Sequence, residues 1–206
     1  MPLLVALFTV LAAAFLWWQS ERSQAMLQQQ VLLQAEKRSI LLADAMAGQV
    51  SGLITTLDLQ LRELRREWQR NPEGFGDFAL GVLQALPPGF VTHISVTNAD
   101  GYVVYDSLAT PIATYIGDRA HFQAQRDGAA DDRLVIGQPV ESRIAQGWAV
   151  VVNRPILKER RFAGTVQLVV STTFIARRLA ALQLSEQDVV ALIAPNGAFL
   201  ARSLDH

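Results

Sequence analysis

The chain contains no cysteine. Disulfides and thiolate-held metals are therefore excluded, and thiol usage says nothing about redox compartment. Histidine is almost as scarce: His93, His121 and His206 are scattered, without metal-ligand spacing. No charge of one sign dominates. Eighteen basic and nineteen acidic residues leave a formal net charge of −1, which gives no electrostatic footprint for nucleic acid. Catalytic motifs are missing too: there is no GxSxG, HExxH or Walker loop. Gly74, Gly76 and Gly81 follow no strand and have the wrong spacing for a phosphate loop. Asn98 and Asp100 lack the other carboxylates of a calcium loop. These absences argue against an enzyme and imply neither cofactor nor metal.

What is plentiful is apolar residue, half of the chain, and it is concentrated at the N-terminus. Pro2 to Trp18 reads PLLVALFTVLAAAFLWW, and no charge precedes Glu21. As helix, this run spans about 26 Å at ~1.5 Å per residue, close to the ~30 Å of a hydrocarbon core. Trp17 and Trp18 stand where an interfacial aromatic belt would be. A cleaved signal peptide is the competing reading. The missing basic n-region and the bulky residues after Ala12-Ala13-Ala14 favour a retained anchor over 1–19.

Proline is also absent between Pro2 and Pro72, and residues 20–70 are expected to form one long helix. Leu42, Met46, Val50, Leu53, Leu57, Leu61, Leu64 and Trp68 recur at steps of 3 or 4, an apolar stripe at helical period. The stripe is expected to be covered in one half by the following domain and in the other by a second copy, making a homodimer. Asn71-Pro72 ends the helix. A short helix is expected over Phe75–Leu86, before the Pro87-Pro88-Gly89 break. VTHISVT, Asn98-Ala99-Asp100-Gly101 and YVVYDS form a hairpin. Asp118 is expected to cap a helix carrying Arg119, His121 and Phe122. Leu134–Val140, Trp148–Ile156 and Phe162–Val170 are expected to be three antiparallel strands. A helix over Thr172–Leu184 follows, capped by Thr172 or Thr173. The fold class is α+β: a transmembrane helix, a long helix and a PAS-like lobe with a five-stranded antiparallel sheet.

Residues 94–107 align without gaps on residues 190–203, an offset of 96. Each copy reads strand, Asp/Asn-Gly turn, strand, Ser. This repeat suggests the start of a second similar lobe, with a chance likeness of hairpins as the alternative. The expected organisation is an anchor at 1–19, a signalling and dimerisation helix at 20–70, the lobe and connecting helix at 71–184, and the first hairpin of an incomplete second lobe at 185–206.

The candidate site residues are Arg119, Tyr115, His121, Phe122, Trp148, Asn153 and Arg154. A cationic fork, amides and aromatics around a curved sheet suit a small-molecule pocket. Asn153 and Arg154 alternate along one strand, so only one can face it.

With these residues in view, the chain resembles the double Cache sensor family. Gly117-Asp118-Arg119-Ala120-His121-Phe122 is similar to that family's Asp-Arg-x-aromatic-Phe helix start. Leu134–Val140, Trp148, Asn153–Ile156 and Phe162–Val166 resemble its following strands. The resemblance covers roughly Ser20 to His206 and is most specific from Asp118 to Val166. It implies a periplasmic ligand-binding domain of a receptor in the cytoplasmic membrane. Such receptors end in a diguanylate cyclase, histidine kinase or chemotaxis module, none of which is in this chain. In the amino-acid-binding branch, Arg119 and Phe122 match, and Tyr115 is near the expected place of an upstream tyrosine. His121 departs from the usual aromatic, and Gln138-Pro139 stands where an acid for the ligand amine is expected. A small anionic ligand is thus expected, an organic acid or amino acid. The alternative is a dimerisation module without a ligand.

Overall fold

A computed structural model describes residues 2–109, 114–145, 147–181, 189–194 and 197–203. Helix α1 is Pro2–Arg70, as the proline-free run dictates. Near its N-terminus it is long and apolar enough to cross a membrane. Its last turns carry the packing: Leu57, Leu61 and Leu64 are buried, each worth about 1.5–3 kcal/mol. Asn71 closes the helix and accepts the Gly74 N–H on its side chain at 3.1 Å. Helix α2, Phe75–Ala85, buries Phe75, Ala79 and Val82.

One antiparallel sheet forms the lobe. Its strands are β1 (Val91–Thr97), β2 (Val103–Asp106), β3 (Val135–Ile136), β4 (Val140–Glu141), β5 (Trp148–Lys158) and β6 (Arg161–Ser171). The spatial order is β2-β1-β6-β5-β3, with β4 also paired to β5. The expected strand Leu134–Val140 is thus split in two. Pro139 has no N–H to donate to a ladder, and pairing with β5 resumes only at Val140. The β5–β6 turn is tighter than expected. Lys158 pairs with Arg161, and Glu159 and Arg160 both adopt positive φ, the pattern of a two-residue type I′ hairpin.

Alternation along the strands separates two faces. Ile94 and Val96 of β1, Val150, Val152 and Ile156 of β5, and Val166, Leu168 and Val170 of β6 form the main core with Leu57, Leu61 and Leu64 of α1 and with α2. The opposite face carries His93, Ser95, Thr97, Asn153, Thr165 and Gln167, all buried. Helix α3, Ala120–Asp127, packs on that polar face and is followed by a 3-10 turn, Ala129–Asp131.

Two glycines set close approaches. A Cβ on Gly101 would strike the Gly117 backbone, and one on Gly164, at φ 135°, would strike the Thr97 carbonyl. Helix α4, Thr172–Ala180, is capped by Ser171, which accepts the Phe174 N–H at 3.1 Å. Neither Thr172 nor Thr173 is the cap. The expected extension of this helix to Leu184 lies outside the described residues, as do 110–113 of the Leu108–Gly117 run, Gln146 of the expected Arg143–Gln146 loop, and the Asn196 turn.

Strands β7 (Ala191–Ile193) and β8 (Phe199–Arg202) make a separate hairpin. It repeats the first one bond for bond. The Ile94 N–H donates to Ser107 Oγ at 3.0 Å and the Ser107 N–H to the Ile94 carbonyl at 2.9 Å. Val190 and Ser203 make the same pair of bonds at 3.0 and 2.8 Å. Gly101 and Gly197 share positive φ, 89° and 83°.

Candidate functional site: a polar cleft under helix α3

The polar face of the sheet and the start of α3 line a small open cleft, with about 40 Å³ of room for the centres of water-sized molecules. His93 and Ser95 of β1, Ala149 and Val151 of β5, and Gln167 and Val169 of β6 form its floor. Ile116, Arg119 and His121 line one wall, and the run from Val140 to Ile144 lines the other. Two backbone bonds fix the first wall: Val103 N–H to the Thr114 carbonyl at 3.0 Å, and Ile116 N–H to the Gly101 carbonyl at 2.8 Å.

Arg119 stands at the N-cap position of α3 in extended backbone, outside the first helical turn. Asp118 was expected to cap and does not. Its two carboxylate oxygens instead accept from Arg143 Nη1 and Nη2, each at 2.7 Å. That bidentate bond holds the Asp118 carboxyl below its usual range and consumes the charge of Arg143. Arg119 remains as the second cation. Among the described residues, its guanidinium donates one hydrogen bond, from Nη2 to the Glu141 carbonyl at 3.2 Å. Beside it, His121 is buried, and burial together with the Arg119 charge pushes its pKa down to about 4. His121 is therefore neutral at pH 7.

Five other expected site residues stand elsewhere. Phe122 is core, edge-on to Phe162 at 5.5 Å, with Val103 and Ile116 around it. Tyr115 is exposed, with its ring on Tyr102 at 5.1 Å and folded over Gly117. Trp148 is 62% exposed and borders a separate depression with Pro139, Thr172 and Arg202. Asn153 does face the polar side, but its amide is spent internally. Its Oδ1 accepts from Gln125 Nε2 at 2.9 Å, and its Nδ2 donates to the His121 carbonyl at 3.3 Å. It thereby anchors α3 to β5.

Arg154 points to the opposite face, where it ties the lobe to helix α1. Its Nε donates to Asp58 of α1, and its Nη1 reaches Asp132 at 3.2 Å. Arg65 binds Asp132 as well and donates to the Pro155 carbonyl at 3.0 Å. Burial pushes Asp58 up, but the bonds and charges of Arg154 and Arg62 outweigh it and hold the carboxyl low.

The floor residues His93, Ser95 and Gln167 were missed in the sequence. The signal was available: in VTHISVT and in TVQ the polar residues alternate with apolar ones, on strands whose two faces are both buried.

No family model and no curated protein matches the chain. Solved structures do. The extracellular domain of rpHK1S-Z16, assigned as a histidine kinase, superposes with a TM-score of 0.61 at 22% identity, covering 74% of this chain and 62% of that one. The chain thus spans less than two thirds of that domain's length. The ligand-binding domain of the Campylobacter jejuni chemoreceptor Tlp3, in complex with 4-methylisoleucine, gives 0.59 at 10% identity, over 79% and 67%. That of the Pseudomonas fluorescens chemoreceptor CtaA, with L-serine, gives 0.58 at 14%, over 78% and 67%. The long helix and the antiparallel sheet share the fold of these extracellular and ligand-binding domains.

Proposed function

We propose that this chain is the extracytoplasmic ligand-binding part of a membrane-bound signalling receptor, and that its cleft binds a small anion such as an organic acid. The observation that carries the reading is Arg119. Its guanidinium lines the cleft with one hydrogen bond to a carbonyl, while the neighbouring Arg143 is neutralised by Asp118. A half-satisfied guanidinium favours a planar anionic partner. The N-terminus of α3 adds its N–H groups and positive dipole on the same side. The neighbours that bind amino acids support ligand binding in this fold.

Anchoring through the first part of α1 and a second lobe begun by the β7–β8 hairpin belong to the same proposal. So does a homodimer along α1, where Val31, Leu32, Ile40 and Leu41 are exposed. A thermal-shift screen of carboxylates, amino acids and amines tests the ligand reading through linkage of binding to folding. Stabilisation by carboxylates supports it. A flat response across all three classes favours a dimerisation module without a ligand, for which cross-linking of single cysteines along Val31 to Leu41 is the matching assay.

A further inference from the structure

His93, on the floor of the cleft, faces its buried neighbour Asp106 without a hydrogen bond between them. The Thr92 hydroxyl has a single hydrogen, and it goes to the Val169 carbonyl at 3.0 Å. Towards His93 Nδ1, also at 3.0 Å, Thr92 can then only accept. We assign the ring hydrogen of neutral His93 to Nδ1, the tautomer that keeps both Thr92 contacts, which leaves Nε2 a bare acceptor. That nitrogen lies 3.8 Å from Asp106 Oδ2. Oδ2 is buried and, among the described residues, has no hydrogen-bond partner, while Asp106 Oδ1 accepts the Leu108 N–H at 2.7 Å. Both side chains are almost wholly buried, 1% and 4% exposed. Two facing acceptors in a dry site are unfavourable until a proton arrives.

We propose that the cleft binds its anion together with a proton, which His93 takes up on Nε2. This rests on the reading of the cleft as an anion site. With His93 neutral, the uncompensated Asp106 carboxylate 3.8 Å from it repels the incoming anion. Protonation cancels that charge, supplies the missing hydrogen and places a positive group beside the ligand. Burial holds the His93 pKa below its usual 6.5 in the empty cleft, against the pull of Asp106. His93 is thus neutral at pH 7 before binding, and a bound anion raises its affinity for the proton. The other charged or titratable groups on the cleft are Arg119 and His121 at the start of α3, Glu141 of β4, and Arg143 after it. From β6, only Gln167 and Val169 face it.

The sign follows from linkage. The liganded protein binds more protons, so anion affinity falls as pH rises from the free to the bound pKa of His93, by up to about tenfold per unit.

The test is calorimetric titration of acetate into the full chain in nanodiscs, at half-unit steps from pH 5.5 to 8.0, where acetate stays ionised. The expected result is a dissociation constant that rises with pH in the wild type and is flat in His93→Asn. His121→Gln keeps the slope, whatever it does to the affinity. Asp106→Asn moves the sloping window to lower pH, because the imidazolium loses its partner; this variant serves if His93→Asn does not fold. A pH-flat wild type that binds acetate overturns proton uptake and leaves the anion site standing. A slope retained in His93→Asn, or lost in His121→Gln, overturns the assignment to His93. No acetate binding at any pH overturns the anion site, and this inference with it.

Discussion

Arg154 of strand β5 is ion-paired to Asp58 of helix α1, across the face of the sheet that does not hold the cleft. The pair ties the lobe to the helix, and Asp132 extends it to the loop after α3 through Arg154 and Arg65. Breaking a buried pair from one side leaves a charge uncompensated. Arg154→Ala is therefore expected to cost about 3–5 kcal/mol, read as a lowered denaturation midpoint. Asp58→Asn costs less, because Arg154 keeps Asp132. Equal or negligible losses for the two would contradict the network.

The pH dependence of folding should carry the mark of His121. Its folded pKa of about 4 lies below the ordinary 6.5, so the unfolded chain binds the proton more readily. The contribution is complete above pH 6.5 and is lost as pH falls towards 4, by about 3 kcal/mol in all. Asp58 and Asp132, both held below their ordinary carboxyl values, lose their contribution only at lower pH. Denaturation curves for the wild type and His121→Gln should converge as pH falls through this window. Parallel curves would show that His121 is not held neutral.

Gly164 sits in a conformation few other residues adopt, against the Thr97 carbonyl. Gly164→Ala should therefore destabilise the lobe by about 2–4 kcal/mol. It should also disturb the neighbouring Thr97–Thr165 hydroxyl pair, at 2.9 Å, which amide exchange at Thr165 would report. Retention of wild-type stability would contradict this backbone approach.

The architecture was legible wherever period and punctuation agree. The proline-free stretch, the Asp-Gly hairpin and the alternating strands all give local signals, and the 96-residue repeat reappears as matched bonds at Ser107 and Ser203. The site was less legible. Arg119 and His121 stand on the cleft, but Trp148 and Arg154 were placed there on residue type. Their true positions depend on where β4 resumes after Pro139 and on which face Asp58 approaches. Both are long-range pairings that no local window contains. Asp118 reads as a helix cap because its nearest N–H groups are downstream, yet Arg143, 25 residues away, outcompetes them.

Asn153 bonds both Gln125 and the His121 backbone, so it should position α3 without touching ligand. Asn153→Ala is expected to destabilise by about 1–3 kcal/mol, as the buried His121 carbonyl loses its donor while Gln125 keeps only the Asn153 and Arg133 carbonyls. It should weaken acetate binding while leaving its stoichiometry intact. Unchanged stability and affinity would show that α3 is held by other contacts.

The central claim is that the guanidinium of Arg119 receives the anion. It is tested most directly by acetate titration of Arg119→Ala beside the wild type, in the same nanodiscs and at pH 6. The account predicts wild-type binding, and for the variant near-native folding with affinity weaker by about 2–5 kcal/mol if the anion and Arg119 form a buried charge pair. An Arg119→Ala variant that binds acetate as the wild type does would contradict it.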